Sequence, residues 1–220
     1  TLFPYTTLFR ADYPVGYSTS RKLKDPVTAN LPAGCTCSAT GSLNGGAIVV
    51  CSGVTNVAFK SWDFSLHNCT ALDIKNNVVG TIAIKNSKFV NGSNCSNSNG
   101  YLVFVENKTA ADFVFKHNFV DGNALNFPTS LNAMIWANVS GKVLIEYNAF
   151  LHSPARPIAT GTTQALLAAF NYWEGFGYHA GDGHGEVIID PFGVQTQPSQ
   201  TYSFNTVLEP NNVCSSCGTA

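Results

Sequence analysis

The sequence predicts an all-β solenoid, a parallel β-helix of stacked coils, and three observations predict it. The first is an internal repeat. Trp62, Ser87, Asn118, Asn148 and Asn171 anchor five copies of one pattern, spaced 25, 31, 30 and 23 residues apart, intervals at which solenoids repeat. Val57, Ile82, Phe113, Val143 and Leu166 stand five positions before the anchors, and Phe59, Ile84, Phe115, Ile145 and Ala168 three before. Phe64, Phe89, Val120, Phe150 and Trp173 stand two after. The second observation is alternation: the apolar positions before each anchor are separated by other residue types, which describes a strand with one buried face. The third is composition. The chain of 220 residues is 45% hydrophobic and 11% charged, so it can bury one sizeable core, and it is rich in the Gly, Asn, Ser and Thr that turns require.

Each coil then has its elements in order. A strand carries the two apolar positions and leads to the anchor, where the chain turns. Asn tolerates left-handed backbone angles and bonds its own main chain, which suits a sharp bend. A second apolar run follows, at Ala71 to Ile74, Tyr101 to Val105 and Ala133 to Trp136. Two or three strands per coil leave no room for helices. One coil cannot bury its own apolar face, whereas coils stacked at about 4.8 Å bury a continuous column and pair every backbone group. The rival reading, a β-sandwich, has strands that recur at closer intervals of roughly 8 to 12 residues. The predicted organisation is a β-helix domain over residues 46–210, preceded by an irregular segment or incomplete cap over 11–45 and followed by a tail over 211–220. Residues 1–10 resemble the translation of a sequencing adapter, as in an assembled environmental read, and are set aside from fold reasoning. The expectation is of a chain truncated at both ends.

The stretches V-x-F-x-S-W-D-F, I-x-I-x-N-S-K-F, F-x-F-x-H-N-F-V, V-x-I-E-Y-N-A-F and L-x-A-x-F-N-Y-W resemble the right-handed parallel β-helix family, the pectate-lyase-like fold, over about residues 46 to 190. These motifs are specific for architecture and weak for chemistry. The resemblance implies a substrate lying along the outside of the coils, near long loops. The expected function is that of a secreted carbohydrate-active protein, a polysaccharide lyase or glycoside hydrolase acting on an acidic polysaccharide. The alternative is a noncatalytic glycan-binding adhesin or structural surface protein.

A net charge of −1 supplies no excess of Lys and Arg to neutralise phosphates, which argues against nucleic acid as the partner. No run of eighteen apolar residues occurs, so no membrane span is expected. The expected partner is a polysaccharide and the expected state a monomer. Seven cysteines point to an oxidising, extracytoplasmic compartment, with Cys69 and Cys95 at similar offsets past successive anchors as the expected disulfide. A four-thiolate metal site from Cys35, Cys37, Cys214 and Cys217 is the less favoured use of those residues, because the two pairs stand near opposite ends of the repeat. Sequons at Asn68, Asn91, Asn94, Asn107 and Asn138 are read first as turn-filling residues.

Two constellations carry candidate chemistry. Lys60, Lys85 and Lys116, followed by Glu146, stand two before their anchors; stacking would line them up as an outward basic row able to bind substrate carboxylates. Residues 174–190 are denser, holding Glu174, His179, Asp182, His184, Glu186 and Asp190 among glycines. If extended, Asp182, His184 and Glu186 share one face, a set suited to acid–base work or to binding a divalent cation such as calcium, the candidate cofactor. The expected catalytic residues are His179, Asp182, His184, Glu186 and Arg156, with Asp182, His184 and Glu186 as the metal set. The expected substrate-binding residues are Lys60, Lys85, Lys116 and Tyr178. Tyr147 and His152 are neighbours one coil upstream. Tyr172 and Trp136 are further aromatic candidates, with Trp136 assigned first to the core. Whether the protein is an enzyme stays open at this level.

Overall fold

A computed structural model describes residues 15–18, 20, 22–38, 48–65, 70–92, 100–126, 131–161, 163–176, 189–191 and 199–208. In chain order the strands are β1 (Cys35–Ser38), β2 (Ile48–Cys51), β3 (Thr55–Lys60), β4 (Leu72–Ile74), β5 (Val79–Lys85), β6 (Lys88–Val90), β7 (Val103–Thr109), β8 (Ala111–Lys116), β9 (Phe119–Asp121), β10 (Ala133–Val139), β11 (Lys142–Glu146), β12 (Ala149–Leu151), β13 (Arg156–Thr160), β14 (Ala165–Ala169), β15 (Tyr172–Glu174), β16 (Ile189–Pro191), β17 (Gln200–Ser203) and β18 (Thr206–Leu208). No helix occurs among the described residues, and hence none long and apolar enough to cross a membrane.

The expected fold class, one uniformly parallel right-handed β-helix solenoid, is corrected by this arrangement. The strands form three separate sheets of seven, six and five strands, ordered β1-β2-β4-β7-β10-β13-β16, β17-β14-β11-β8-β5-β3 and β18-β15-β12-β9-β6. The seven-stranded sheet is mixed, because β1 runs antiparallel to β2. Two features cause the difference. A disulfide joins Cys35 to Cys51 across the antiparallel pair of β1 and β2, just after Gly34, whose φ is +73° and where an added Cβ would lie 2.0 Å from Val54 Cγ1. Sharp corners with left-handed residues then divide the rest of the chain among separate sheets.

The repeat does specify pairing. Val57 lies opposite Ile82, Ile82 opposite Phe113, Phe113 opposite Val143 and Val143 opposite Leu166, all in parallel register. The apolar positions two after the anchors also stack, with ring centroids 4.6 Å apart for Phe64–Phe89 and 4.3 Å for Phe150–Trp173. These columns merge into one main core bounded by the inner faces of the sheets.

The corner between the six- and five-stranded sheets departs from expectation in its detail. The left-handed residue is the one before each anchor: Ser61, Asn86, His117, Tyr147, Phe170 and Phe204 have φ of 62°, 51°, 54°, 57°, 56° and 53°. The five anchors themselves are buried, and from Ser87 onward their side chains, with that of Asn205 after Phe204, join successive levels. Asn148 Oδ1 accepts from Asn118 N at 2.8 Å, Asn171 Oδ1 from Asn148 N at 3.0 Å, and Asn205 Oδ1 from Asn171 N at 3.0 Å. Each Nδ2 donates to a strand carbonyl, Asn118 to Ile84 and Asn148 to Phe115, both at 2.9 Å. A buried corner must satisfy its main-chain groups from within, and asparagine brings both an acceptor and a donor.

Candidate functional site

The lysine row forms as expected on the outward face of the six-stranded sheet. Lys60 is opposite Lys85, Lys85 opposite Lys116, and Lys116 opposite Glu146. Adjacent strands set these side chains about 4.8 Å apart, where like charges repel by about 1 kcal/mol in water. Glu146 relieves one end: its Oε2 lies 2.5 Å from Lys116 Nζ. Lys60 and Lys85 are exposed and form no ion pair among the described residues. The row therefore presents two uncompensated cations and one compensated one.

His179, Asp182, His184, Glu186 and Tyr178 lie outside the described residues, and with them the whole expected metal set; the backbone of Asp190 is described within β16. Among the described residues no group of three or more His, Cys, Asp or Glu side chains gathers as a metal site. Arg156 is described, and it is 1% exposed. It opens β13 opposite Ala133, and its Nη2 donates to Asn132 Oδ1. The guanidinium is thus held inside the structure, not displayed along a surface groove.

Sequence reasoning missed a second face. On the seven-stranded sheet, Asp73 is opposite Phe104, Phe104 opposite Trp136, and Trp136 opposite Ala159. Trp136 does not join the main core; with Ala133 and Ala159 it forms a separate cluster, packed by Tyr101 and Phe104. Tyr101 stacks on Phe104 with centroids 5.3 Å apart and tilts against Trp136 at 5.6 Å. Beside these rings Lys75 Nζ lies 2.8 Å from Asp73 Oδ2 and 2.7 Å from Glu106 Oε1, and Asn76 N donates to Glu106 Oε2 at 3.0 Å.

The two carboxyls differ in environment. Burial pushes the Asp73 carboxyl up, and Glu106 adds to this, against an opposing pull from Lys75. Burial alone would raise Glu106 as well, but hydrogen bonds from Lys75 and Asn76 outweigh it and hold that group below the ordinary range. Burial likewise raises the Tyr101 hydroxyl, opposed by Arg156 and Asn132. No spacing motif announces this cluster, because Lys75 and Glu106 are 31 residues apart and meet only through strand register. The period of the repeat was the one available signal.

A third group spans three levels of the five-stranded sheet. Asp121 and Glu174 both lie opposite Leu151, His152 Nδ1 is 3.1 Å from Asp121 Oδ1, and Tyr172 Oη donates to Glu174 Oε2 at 2.6 Å. Tyr172 itself is 6% exposed, so it offers no open ring.

The expected Cys69–Cys95 pair lies outside the described residues, while Cys35 is taken by its bond to Cys51 and so cannot serve a four-thiolate site. Cys37 is a free thiol, raised by burial and by Asp25. Asn91 is fully buried with its Nδ2 donating to Gly122 O, which fits the turn-filling reading of that sequon. No family model, curated protein or solved structure matches this chain.

Proposed function

We propose that the protein binds an acidic polysaccharide outside the cell, with the polymer lying across the strands of the six-stranded sheet. The observation that carries this reading is the register of Lys60, Lys85 and Lys116. A pyranose unit is of the same order of length as the strand spacing, so successive uronate carboxylates can meet successive lysines. Exposure keeps the pairings at Lys60 and Lys85 weak, Lys116 shares its charge with Glu146, and avidity along the row supplies the affinity. The disulfide supports an oxidising setting. The test is titration of oligogalacturonate, oligoalginate and chondroitin oligosaccharides into the wild type and into a triple Lys60→Gln, Lys85→Gln, Lys116→Gln variant. Binding that falls at least about tenfold in the variant and weakens with salt supports the proposal; equal binding by both proteins removes it.

Turnover of a glycan at the seven-stranded sheet, apart from the lysine row, is the second reading, favoured by one observation. The environments of Asp73 and Glu106 push their protonation in opposite directions, the division of labour that acid–base hydrolysis uses. New reducing ends that disappear in Glu106→Gln would support hydrolysis. An unsaturated product would point to a lyase instead.

A further inference from the structure

The outward side of the seven-stranded sheet combines features that packing alone does not require. Its rings form a cluster apart from the main core, with Tyr101 and Phe104 only partly buried. Asp73 is 2% exposed, yet its Oδ1 has no hydrogen-bond partner among the described residues. A buried acceptor left without a donor is costly and marks a place that a hydroxyl or a bridging water fills. The neighbouring Lys75 and Glu106 side chains are 35% and 27% exposed, so this end of the face is reachable from solvent.

Charge decides the ligand class. Lys75 is already held by two carboxyls, and Arg156 is closed in against Asn132. Lys108, toward the other end of β7, is exposed and forms no ion pair among the described residues, but the cations beside the ring cluster are both engaged, in contrast to the lysine row on the other sheet. What it offers is ring surface beside hydrogen-bonding groups, the combination that orients a polar ring with an apolar face.

We propose that the outer face of the seven-stranded sheet is a second glycan subsite, separate from the lysine row, which takes an uncharged pyranose against Tyr101 and Phe104 with its hydroxyls directed to the Asp73, Lys75 and Glu106 cluster. The raised protonation of Asp73 agrees with an acid that shares a proton with a hydroxyl.

The experiment is calorimetric titration of the full chain with neutral xylo-, manno- and cello-oligosaccharides, and in parallel with oligogalacturonate. The expected result is that at least one neutral oligosaccharide binds, that Phe104→Ala and Glu106→Gln each weaken it at least about tenfold, and that the triple lysine variant changes it by less than about twofold. Circular dichroism melting verifies that Phe104→Ala is folded. Glu106→Gln, at a partly exposed position, decides the matter if it is not. No binding of any neutral oligosaccharide, or equal binding by wild type and Glu106→Gln, overturns the subsite. The oligogalacturonate titration with the lysine variant stands or falls independently, so the two readings fail separately.

Discussion

Two corners of the molecule solve the same problem differently. Between the six- and five-stranded sheets the chain turns in two residues at successive levels, as at His117–Asn118, Tyr147–Asn148 and Phe170–Asn171, with a left-handed residue followed by a buried one that bonds to the next level. Between the five- and seven-stranded sheets the connection varies: it spans 122–132 in one level, 152–155 in the next and 175–188 in the one after. At the first corner one buried residue per level meets main-chain groups of its neighbour, so successive levels repeat one solution. The second corner, although Ser153 and Ala155 are buried there too, differs in length from level to level, and it carries His152 and leads into Arg156. Repetition marks structural necessity, and variation marks where chemistry can be placed.

The largest effect expected from this contrast is at the repeated corner. Asn148→Ala would strand Asn118 N and the Phe115 carbonyl, which bond Asn148 at 2.8 and 2.9 Å, and would also remove the Nδ2 donation to Asn171 Oδ1, leaving only the main-chain one. Losing partners for several buried groups together costs about 4 kcal/mol. At the variable corner, exposed Asn126, whose Nδ2 reaches Asn123 Oδ1 at 2.7 Å, should lose less than about 0.5 kcal/mol on change to Ala. Urea denaturation of the two variants measures the difference. Similar losses would break the comparison.

The same contrast explains what could be read in advance. The period placed Val57, Ile82, Phe113, Val143 and Leu166 in one column because alternation and spacing are local properties of the sequence. It also placed the lysine row. It misassigned the corner, since the anchor asparagines attracted the left-handed role that the preceding His117, Tyr147 and Phe170 take; an aromatic residue gives no local hint of positive φ. The antiparallel β1 and the Cys35–Cys51 bond sit outside the repeat, so its logic led to parallel sheets alone. Arg156 was expected among the catalytic residues of an exposed groove because it lies one coil from Asn171, but it occupies a strand buried along its whole length. Asp73, Lys75 and Glu106 belong to different repeats, and nothing in the sequence marks them as partners.

A moderate effect is expected at the left-handed residues, where glycine and alanine should exchange their usual order. Tyr147 has φ of +57° and stacks on His117 and Phe170, with centroids 4.9 Å away on each side. Tyr147→Ala loses both stacks and keeps a conformation that costs an L-residue roughly 1–2 kcal/mol. Tyr147→Gly loses the same stacks but removes that strain, at a smaller cost from the greater entropy of the unfolded chain. The glycine variant should therefore be the more stable of the two by about 1 kcal/mol, read as a shift in urea midpoint at constant slope. A more stable alanine variant would show that the ring column, not the backbone, sets this corner.

The smallest effect tests the variable corner through pH. A hydrogen bond to Asp121 raises the His152 imidazole; burial opposes this, and the Asp121 and Glu174 charges add to it. A group raised in the folded state binds its proton more tightly there than in the unfolded chain. The His152 contribution is thus fully present below the ordinary histidine value of about 6.5 and is lost as pH rises through the folded value. Asp73 is also raised and gives a slope of the same sign, beginning lower, near the ordinary carboxyl value of about 3.9. Subtracting the stability curve of His152→Gln from that of the wild type removes the Asp73 component and isolates the imidazole. The difference should favour the wild type at mildly acidic pH, by under about 1 kcal/mol for a partly exposed pair, and fade toward alkaline pH. A difference that grows with pH would mean that the imidazole is held neutral, which would take the Asp121 contact out of any account of this corner.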